Sequence, residues 1–301
     1  MTYFLQFLVF GIALGCVYAL VALGFTIIFK ASGVINFAQG ELLLVGAFVA
    51  SAAVFQYHLS FPLALLIAVV FTVVIGLLFE RFVLRRMIGR PVFSILMITI
   101  GLDILLLTAV NARFGSDARA SATPVPYDAG FIVGGVRILT NEVITVAVTI
   151  ACCVALFLFF RFTKYGLAMR ATALDQEAAL AMGINIRTVY ALAWGIAAAI
   201  ATIGGVLLPP ALAQSTIDLS TGQVALRAFP AIILGGLDSV SGAVVGGLII
   251  GLTEQFIAGY EAPFEQFVGH SFYEIAPYLL MIAILLIRPY GLFGSRKVER
   301  I

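Results

Sequence analysis

The stretch Phe4-Leu-Gln-Phe-Leu-Val-Phe-Gly-Ile-Ala-Leu-Gly-Cys-Val-Tyr-Ala-Leu-Val-Ala-Leu-Gly-Phe-Thr-Ile-Ile-Phe29 contains no charge and is closed by Lys30. A helix crosses a bilayer with about 20 apolar residues, so this run is long enough to span. With its flank from Thr2 it is too long for the h-region of a signal peptide and has no positive n-region before it. It reads as a retained first helix.

Similar runs follow it at Ile35–Tyr57, Phe61–Phe79, Pro91–Val110, Val143–Phe160, Thr188–Leu208, Val224–Gly236, Val240–Ile257 and Ile275–Ile287. The seventh, Val224–Gly236, contains Arg227 and Pro230. Its apolar core is only about 20 Å of helix, so it reads as a short or broken span. The sixth is expected to stop at Pro209 and Pro210. Of the 301 residues 62% are hydrophobic and 11% charged, with mean hydropathy +1.14; soluble domains are about half apolar and a quarter charged. That balance excludes a soluble globular protein and a disordered chain. A net charge of +2 with no basic stripe argues against nucleic acid as a partner. Long continuous runs are unlike the alternating strands of an outer-membrane barrel. The fold class is therefore all-α, a polytopic membrane helical bundle of eight or nine transmembrane helices, in one domain over 1–301. Cys16, Cys152 and Cys153 lie inside apolar runs and read as small buried hydrophobes.

Lysine and arginine mark the cytoplasmic side. With nine spans and the N-terminus outside, 13 of the 17 basic residues fall inside: Lys30, Arg81, Arg85, Arg86, Arg90, Arg161, Lys164, Arg170, Arg187, Arg288, Arg296, Lys297 and Arg300. Arg113, Arg119 and Arg137 fall outside, which places the C-terminus in the cytoplasm. The outer loop 111–141 contains Phe131-Ile-Val-Gly-Gly-Val-Arg-Ile-Leu139, whose apolar runs around Gly-Gly read either as a β-hairpin or as a plain connector.

Enzyme motifs are missing from the sequence. No lysine follows a glycine, so there is no P-loop; with only His58 and His270 there is no H-E-x-x-H pair, and no G-x-S-x-G elbow occurs. No cofactor or metal is expected. Glycines recur at four-residue spacing, Gly11 with Gly15, Gly242 with Gly246 and Gly247 with Gly251, which fits close helix packing in lipid. Ionisable residues inside spans are costly and often functional; here they are Glu41, Asp103, Arg227, Asp238 and Glu254, with Arg227 a possible structural partner for Asp103. Two span openings resemble each other, Asn36-Phe-Ala-Gln39-Gly40 and Asp238-Ser-Val-Ser241-Gly242. Each has a capping residue, then a polar side chain, then glycine. They read either as ordinary caps or as broken helices on a solute path, so Asn36, Gln39, Glu41, Asp103, Asp238 and Ser241 are the candidate pathway residues.

The cytoplasmic segment 161–187 contains Arg170-Ala-Thr-Ala-Leu-Asp175-Gln-Glu177-Ala178-Ala179-Leu-Ala-Met-Gly183. Leu174, Ala178, Ala181 and Met182 share a helical face, and Gly183 suits a helix C′ position. An interfacial anchor and a docking helix for a motor subunit both fit.

Glu177-Ala178-Ala179 with Gly183 resembles the EAA loop of ABC importer permeases. The stretches Gly33-Val-Ile-Asn36-Phe-Ala-Gln39-Gly40-Glu41-Leu and Phe229-Pro230-Ala-Ile-Ile-Leu-Gly235-Gly236-Leu-Asp238-Ser-Val-Ser-Gly242-Ala resemble the Liv-H-type permeases of branched-chain amino acid importers, and the likeness runs the length of the chain. It implies a single permease domain in the bacterial inner membrane. The implied partners are a homologous second permease, two cytoplasmic ATPases that use the ATP and a periplasmic substrate-binding protein. The implied ATPase-coupling residues are Arg170, Asp175, Glu177, Ala178, Ala179 and Gly183. The implied cargo is leucine, isoleucine or valine, with urea, short amides or other small organic solutes as the alternative within the group; an ion-coupled secondary carrier and a passive channel are the alternatives outside it. Because the spans look poor in polar groups, substrate selection is expected to lie mainly in the binding protein.

Overall fold

The computed structural model describes residues 2–87, 89–260 and 272–294. Its helices are α1 (Thr2–Ser32), α2 (Gln39–Phe55), α3 (Phe61–Phe82), α4 (Val92–Phe114), α5 (Thr140–Phe162), α6 (Lys164–Leu174), α7 (Gln176–Ala181), α8 (Ile186–Ala211), α9 (Val224–Arg227), α10 (Phe229–Gly235), α11 (Val240–Tyr260) and α12 (Phe272–Ile287). Among the described residues, six helices are long and apolar enough to cross a membrane, and α2, α12 and the stretch Leu219–Gly235 are shorter apolar helices. The chain is an all-α polytopic membrane protein.

Helices α1, α2 and α8 form the centre. From Ala13 to Ile28 every residue of α1 is buried, whichever way it points, as expected of a helix that is apolar all round and enclosed by others. Helices α3, α4 and α5 bury only one stripe each and turn Leu66, Val70, Ile104, Leu105, Ile150 and Phe157 outward. In water such faces would be a liability; against lipid chains they are matched.

The four-spaced glycines lie where backbones touch. A Cβ on Gly247 would come within 2.4 Å of the Ala19 nitrogen, and one on Gly251 within 2.2 Å of the Gly15 nitrogen, so α1 and α11 meet main chain to main chain. Gly242 and Gly246 press in the same way on the Gly235 and Ala231 carbonyls of α10. Lipid offers no hydrophobic drive for helices to associate, so dispersion contact at this closeness holds the pair together.

The bundle has two unlike ends. At one, β2 (Gly130–Val133) and β3 (Val136–Leu139) form an antiparallel hairpin with Phe131 opposite Ile138. Gly134 and Gly135 turn it at φ 58° and 83°, as a tight hairpin turn requires, so the Gly-Gly stretch is a hairpin and not a plain connector. The Gln6 side chain donates to the Arg137 carbonyl at 2.7 Å and accepts its N–H at 3.0 Å, tying α1 to the hairpin. Nearby, β1 (Arg119–Ala120) pairs with β4 (Thr216–Ile217). At the opposite end, Lys30 Nζ donates to the Asp238 carbonyl at 3.3 Å, and Leu292 and Phe293 donate to the Leu234 and Gly235 carbonyls.

The stretch Leu219–Gly235 leaves β4 at the hairpin end and reaches Gly236 at the Lys30 end, passing through a 3-10 turn, α9 and α10 in turn. It is a broken passage, as its short apolar core implies. The basic residues divide accordingly: Lys30, Arg85, Arg161 and Arg170 lie towards one end and Arg113, Arg119 and Arg137 towards the other. Arg296, Lys297, Arg300 and His270 lie outside the described residues.

Three boundaries differ from the sequence reading. Helix α8 continues through Pro209 and Pro210 to Ala211; prolines this close to a C-terminus leave few bonds of the ladder to lose. Helix α2 begins at Gln39, after a non-helical Gly33–Phe37. The segment 161–187 holds two helices instead of one, broken where the Asp175 side chain accepts the Ala178 N–H at 2.9 Å and caps α7.

Candidate functional site

The start of α2 lies inside the bundle. Gln39 rests against Gly24 of α1, where a Cβ would meet its side-chain nitrogen, and donates to the Ala197 carbonyl in α8 at 3.2 Å. Asn36 accepts the Ala38 N–H at 3.1 Å and reaches Gln39 at 3.5 Å. One turn on, Glu41 is buried, and its Oε2 finds no hydrogen-bond partner among the described residues. It faces Gly222 of the broken passage, where a Cβ would come within 2.6 Å of Oε1, while Gly40 abuts the Gly222 carbonyl. Phe229 links the two stretches, stacked on Phe37 at 6.2 Å and edge-on to Phe25 at 5.7 Å. The opening at Asn36 is therefore a turn between α1 and α2 that delivers Gln39 and Glu41 into the bundle.

A second polar group fills the gap between α9 and α10. The Arg227 guanidinium donates to Glu274 Oε1 on α12 at 2.7 Å and lies 3.7 Å from Glu254 on α11. Glu254 is buried and accepts the Tyr18 hydroxyl at 2.7 Å. Tyr18 stands midway along α1, so the cluster lies at mid-depth. A cavity of about 350 Å³ opens onto Arg227 and Glu274 and extends past Gln223 to Asp218 and Gln214 near β4. The spans thus hold more convergent polar groups than the sequence reading allowed.

The remaining candidates are scattered. Asp103 is half-buried on α4; Arg227 pairs with Glu254 and Glu274, not with Asp103. Asp238 lies at the Lys30 end with Ser241 exposed beside it, and the α11 cap comes from Ser239, which accepts the Gly242 N–H at 3.0 Å. The two similar openings therefore do different work, one at depth and one at the bundle end. Sequence reasoning passed over Tyr18, Glu274 and Tyr278. Their signal was indirect: Arg227 is embedded in an apolar run, and an embedded cation draws carboxylates to it.

Towards the Lys30 end, α6 packs on α5 and α1 through Gly166, Met169 and Thr172. Helix α7 buries Ala179 alone, and Gln176 donates to the Tyr190 hydroxyl of α8 at 3.1 Å. Arg170, Glu177, Ala178 and Gly183 are exposed. Leu174 is 90% exposed and Met182 83%, and because Leu174 ends α6 while Ala178 and Ala181 lie on α7, the single apolar face expected across them is not formed. Gly183 adopts φ 80°, donating to the Leu180 carbonyl while Ile184 donates to that of Ala179, the paired bonds of a Schellman ending. Among the described residues, no three His, Cys, Asp or Glu side chains gather as a metal site.

Charges held at mid-depth among apolar helices are expensive and generally serve a solute's passage; the class so defined is a membrane permease. A family model described as the permease component of the branched-chain amino acid transport system matches residues 7–285. The high-affinity branched-chain amino acid transport permease BraD of Pseudomonas aeruginosa is 32% identical, over 99% of this chain and 98% of that protein. LivH of Escherichia coli K12 has the same identity and coverage. A probable LivH of Methanocaldococcus jannaschii is 31% identical over 94% of this chain and 90% of its own length. The chain belongs to the branched-chain amino acid transport permease family and is a transport component, not an enzyme.

Proposed function

We propose that this chain is a membrane-spanning subunit of an ATP-driven importer in the inner (plasma) membrane and forms the path for leucine, isoleucine and valine. The observation that carries this reading is end-to-end similarity to permeases named for branched-chain amino acids. A homologous second permease completes the path, a soluble binding protein delivers cargo at the hairpin end, and two ATPases dock at the Lys30 end and use the ATP. The segregation of basic residues supports a cytoplasmic Lys30 end, with nine crossings if α2, α12 and the broken passage each count as one.

Helix α7 is the coupling element. It is anchored by Ala179 and Gln176 and presents Glu177 and Ala178 outward, with Leu174 and Met182 exposed at its two ends, an arrangement suited to a groove on a partner. Asp175 and Gly183 set its two ends, and Arg170 lies on α6 just before it. Inside, Asn36, Gln39 and Glu41 line the path where α2 begins. The test is uptake of labelled leucine into proteoliposomes carrying both permeases, both ATPases and the binding protein. ATP-dependent uptake is expected, and it should fail when the ATPases are left out. Uptake driven by an ion gradient without them would instead establish a secondary carrier. Glu177→Lys should lower ATPase co-purification while the helices still insert.

A further inference from the structure

We propose that the mid-depth cavity between α8, α9 and α12 is a low-affinity stopping point for a zwitterionic, aliphatic α-amino acid. Arg227 takes its carboxylate, Glu274 its ammonium group, and Leu208, Leu212 and Val224 its side chain. The inference rests on the function proposed above and names the residues by which the membrane path itself tells cargo classes apart.

The donor and acceptor inventory points this way. A guanidinium has five N–H donors; among the described residues Arg227 makes one hydrogen bond, to Glu274. Its approach to Glu254 at 3.7 Å is an ion pair too long to be a hydrogen bond. Donors therefore remain for a carboxylate, a charge-assisted contact of the kind arginine makes strongly. Both partners face the cavity with exposure to spare, 32% for the Arg227 side chain and 40% for Glu274.

The charge balance is asymmetric in the useful direction. Two carboxylates, Glu254 and Glu274, surround one guanidinium. Glu254 is buried and fixed from behind by Tyr18, so it holds Arg227 in place while Glu274 turns to an incoming ammonium. An ion pair that parts to offer Arg227 to a carboxylate and Glu274 to an ammonium group matches both ends of a zwitterion. Urea, an amide or a sugar brings no charge to meet either group, and the cost of parting Arg227 from Glu274 would go unrecovered.

Part of the remaining lining fits the other half of such a molecule, while Gln214, Asp218, Ser220, Thr221 and Gln223 keep the outer part polar. Leu208, Leu212 and Val224 form an apolar wall beside the charged pair. A volume of about 350 Å³ lies at the small end of ligand pockets. Gln214 and Asp218 place its far rim near β4, so a solute entering from the hairpin end reaches Arg227 only at the depth of Tyr18.

The experiment is displacement of labelled leucine from the assembled permease–ATPase complex without binding protein, at millimolar leucine. Leucine should displace itself, whereas 4-methylpentanoate, which lacks the ammonium group, and isopentylamine, which lacks the carboxylate, should each be weaker by about tenfold or more, the scale of one lost charge-assisted contact. In Glu274→Gln the advantage of leucine over 4-methylpentanoate should shrink to about twofold or less. In Leu212→Ser, which leaves the charged pair untouched, the preference for leucine over alanine should fall instead. An absence of saturable leucine binding in the unmodified complex overturns the proposal, as does an unchanged order of analogues in both variants. ATP-driven uptake by the complete system, measured in parallel, separates this failure from failure of the importer reading. Intact leucine uptake with no such site sinks only the site, whereas no leucine uptake at all sinks the function.

Discussion

The seam between α1 and α11 and the elbow formed by α6 and α7 are built on opposite terms. In the seam, glycines bring two main chains together with no space for a methyl group. In the elbow α6 is packed through Gly166, Met169 and Thr172, but α7 is held only by Ala179 and one side-chain bond from Gln176 to Tyr190, and Leu174 and Met182 are left almost fully exposed. A surface that fills itself needs nothing further. One that folds neatly, with a capped start and a Schellman ending, yet leaves its apolar residues bare is shaped for something outside the chain. Stability and coupling thus occupy different regions, and substitutions should separate them.

The largest effect is expected at the seam. Gly247→Val drives a Cβ into the Ala19 main chain, and main chain cannot swing aside as a side chain does. Overpacking generally costs about 1–3 kcal/mol, and here the cost should reach at least the top of that range. Yield in detergent and thermal unfolding measure it; a variant as stable as the parent would show that the helices can slide apart freely.

The mid-depth cluster should come next. Glu254→Ala strips Tyr18 of its acceptor and leaves Arg227 with one carboxylate, at a cost of about 1–3 kcal/mol. Tyr18→Phe removes only the hydroxyl and should cost about 1 kcal/mol. If thermal unfolding finds both harmless, water already satisfies the cluster and it contributes nothing to the scaffold.

At the elbow the balance should reverse. Gly183→Ala meets no atom within 4 Å, so its cost comes from the backbone at φ 80°, about 1–2 kcal/mol. Because the strain falls on the α7 ending alone, uptake and ATPase co-purification should drop more than the unfolding temperature. The smallest change in stability, within about 0.5 kcal/mol, is expected for Leu174→Ser with Met182→Ser, yet ATPase retention should fall. Unchanged retention would hand that face to the lipid surface and erase the contrast between seam and elbow.

Much of this was legible in the sequence. Uncharged runs mark the spans because nothing else satisfies backbone groups in hydrocarbon. The four-spaced glycines mark the seam because only missing side chains permit that approach. Gly183 announces its φ because the residues before it are helical and those after it are not. What the sequence hid was pairing. Arg227, Glu254 and Glu274 come from three separate stretches, and no periodicity within one run tells which carboxylate its cation meets, so Asp103 stood as an equal candidate. The break at Asp175 was hidden for a related reason: helical spacing continues across it, and only the cap shows that Asp175 ends one helix and starts another. Likewise Asn36 and Asp238 look alike in sequence, and only their depth in the bundle sets them apart.

The Gly15–Gly251 contact also has a consequence for how the protein is made. Helix α1 is completed by a helix far along the chain, since the notch at Gly11 and Gly15 stays open until α11 is synthesised. Closing so long a loop must precede any reward from the contact, which makes the step slow. During that wait α1 exposes a glycine groove to every other nascent helix in the membrane. Chains stopped before Val240 should therefore keep that groove open, and the seam closes only once α11 is in place.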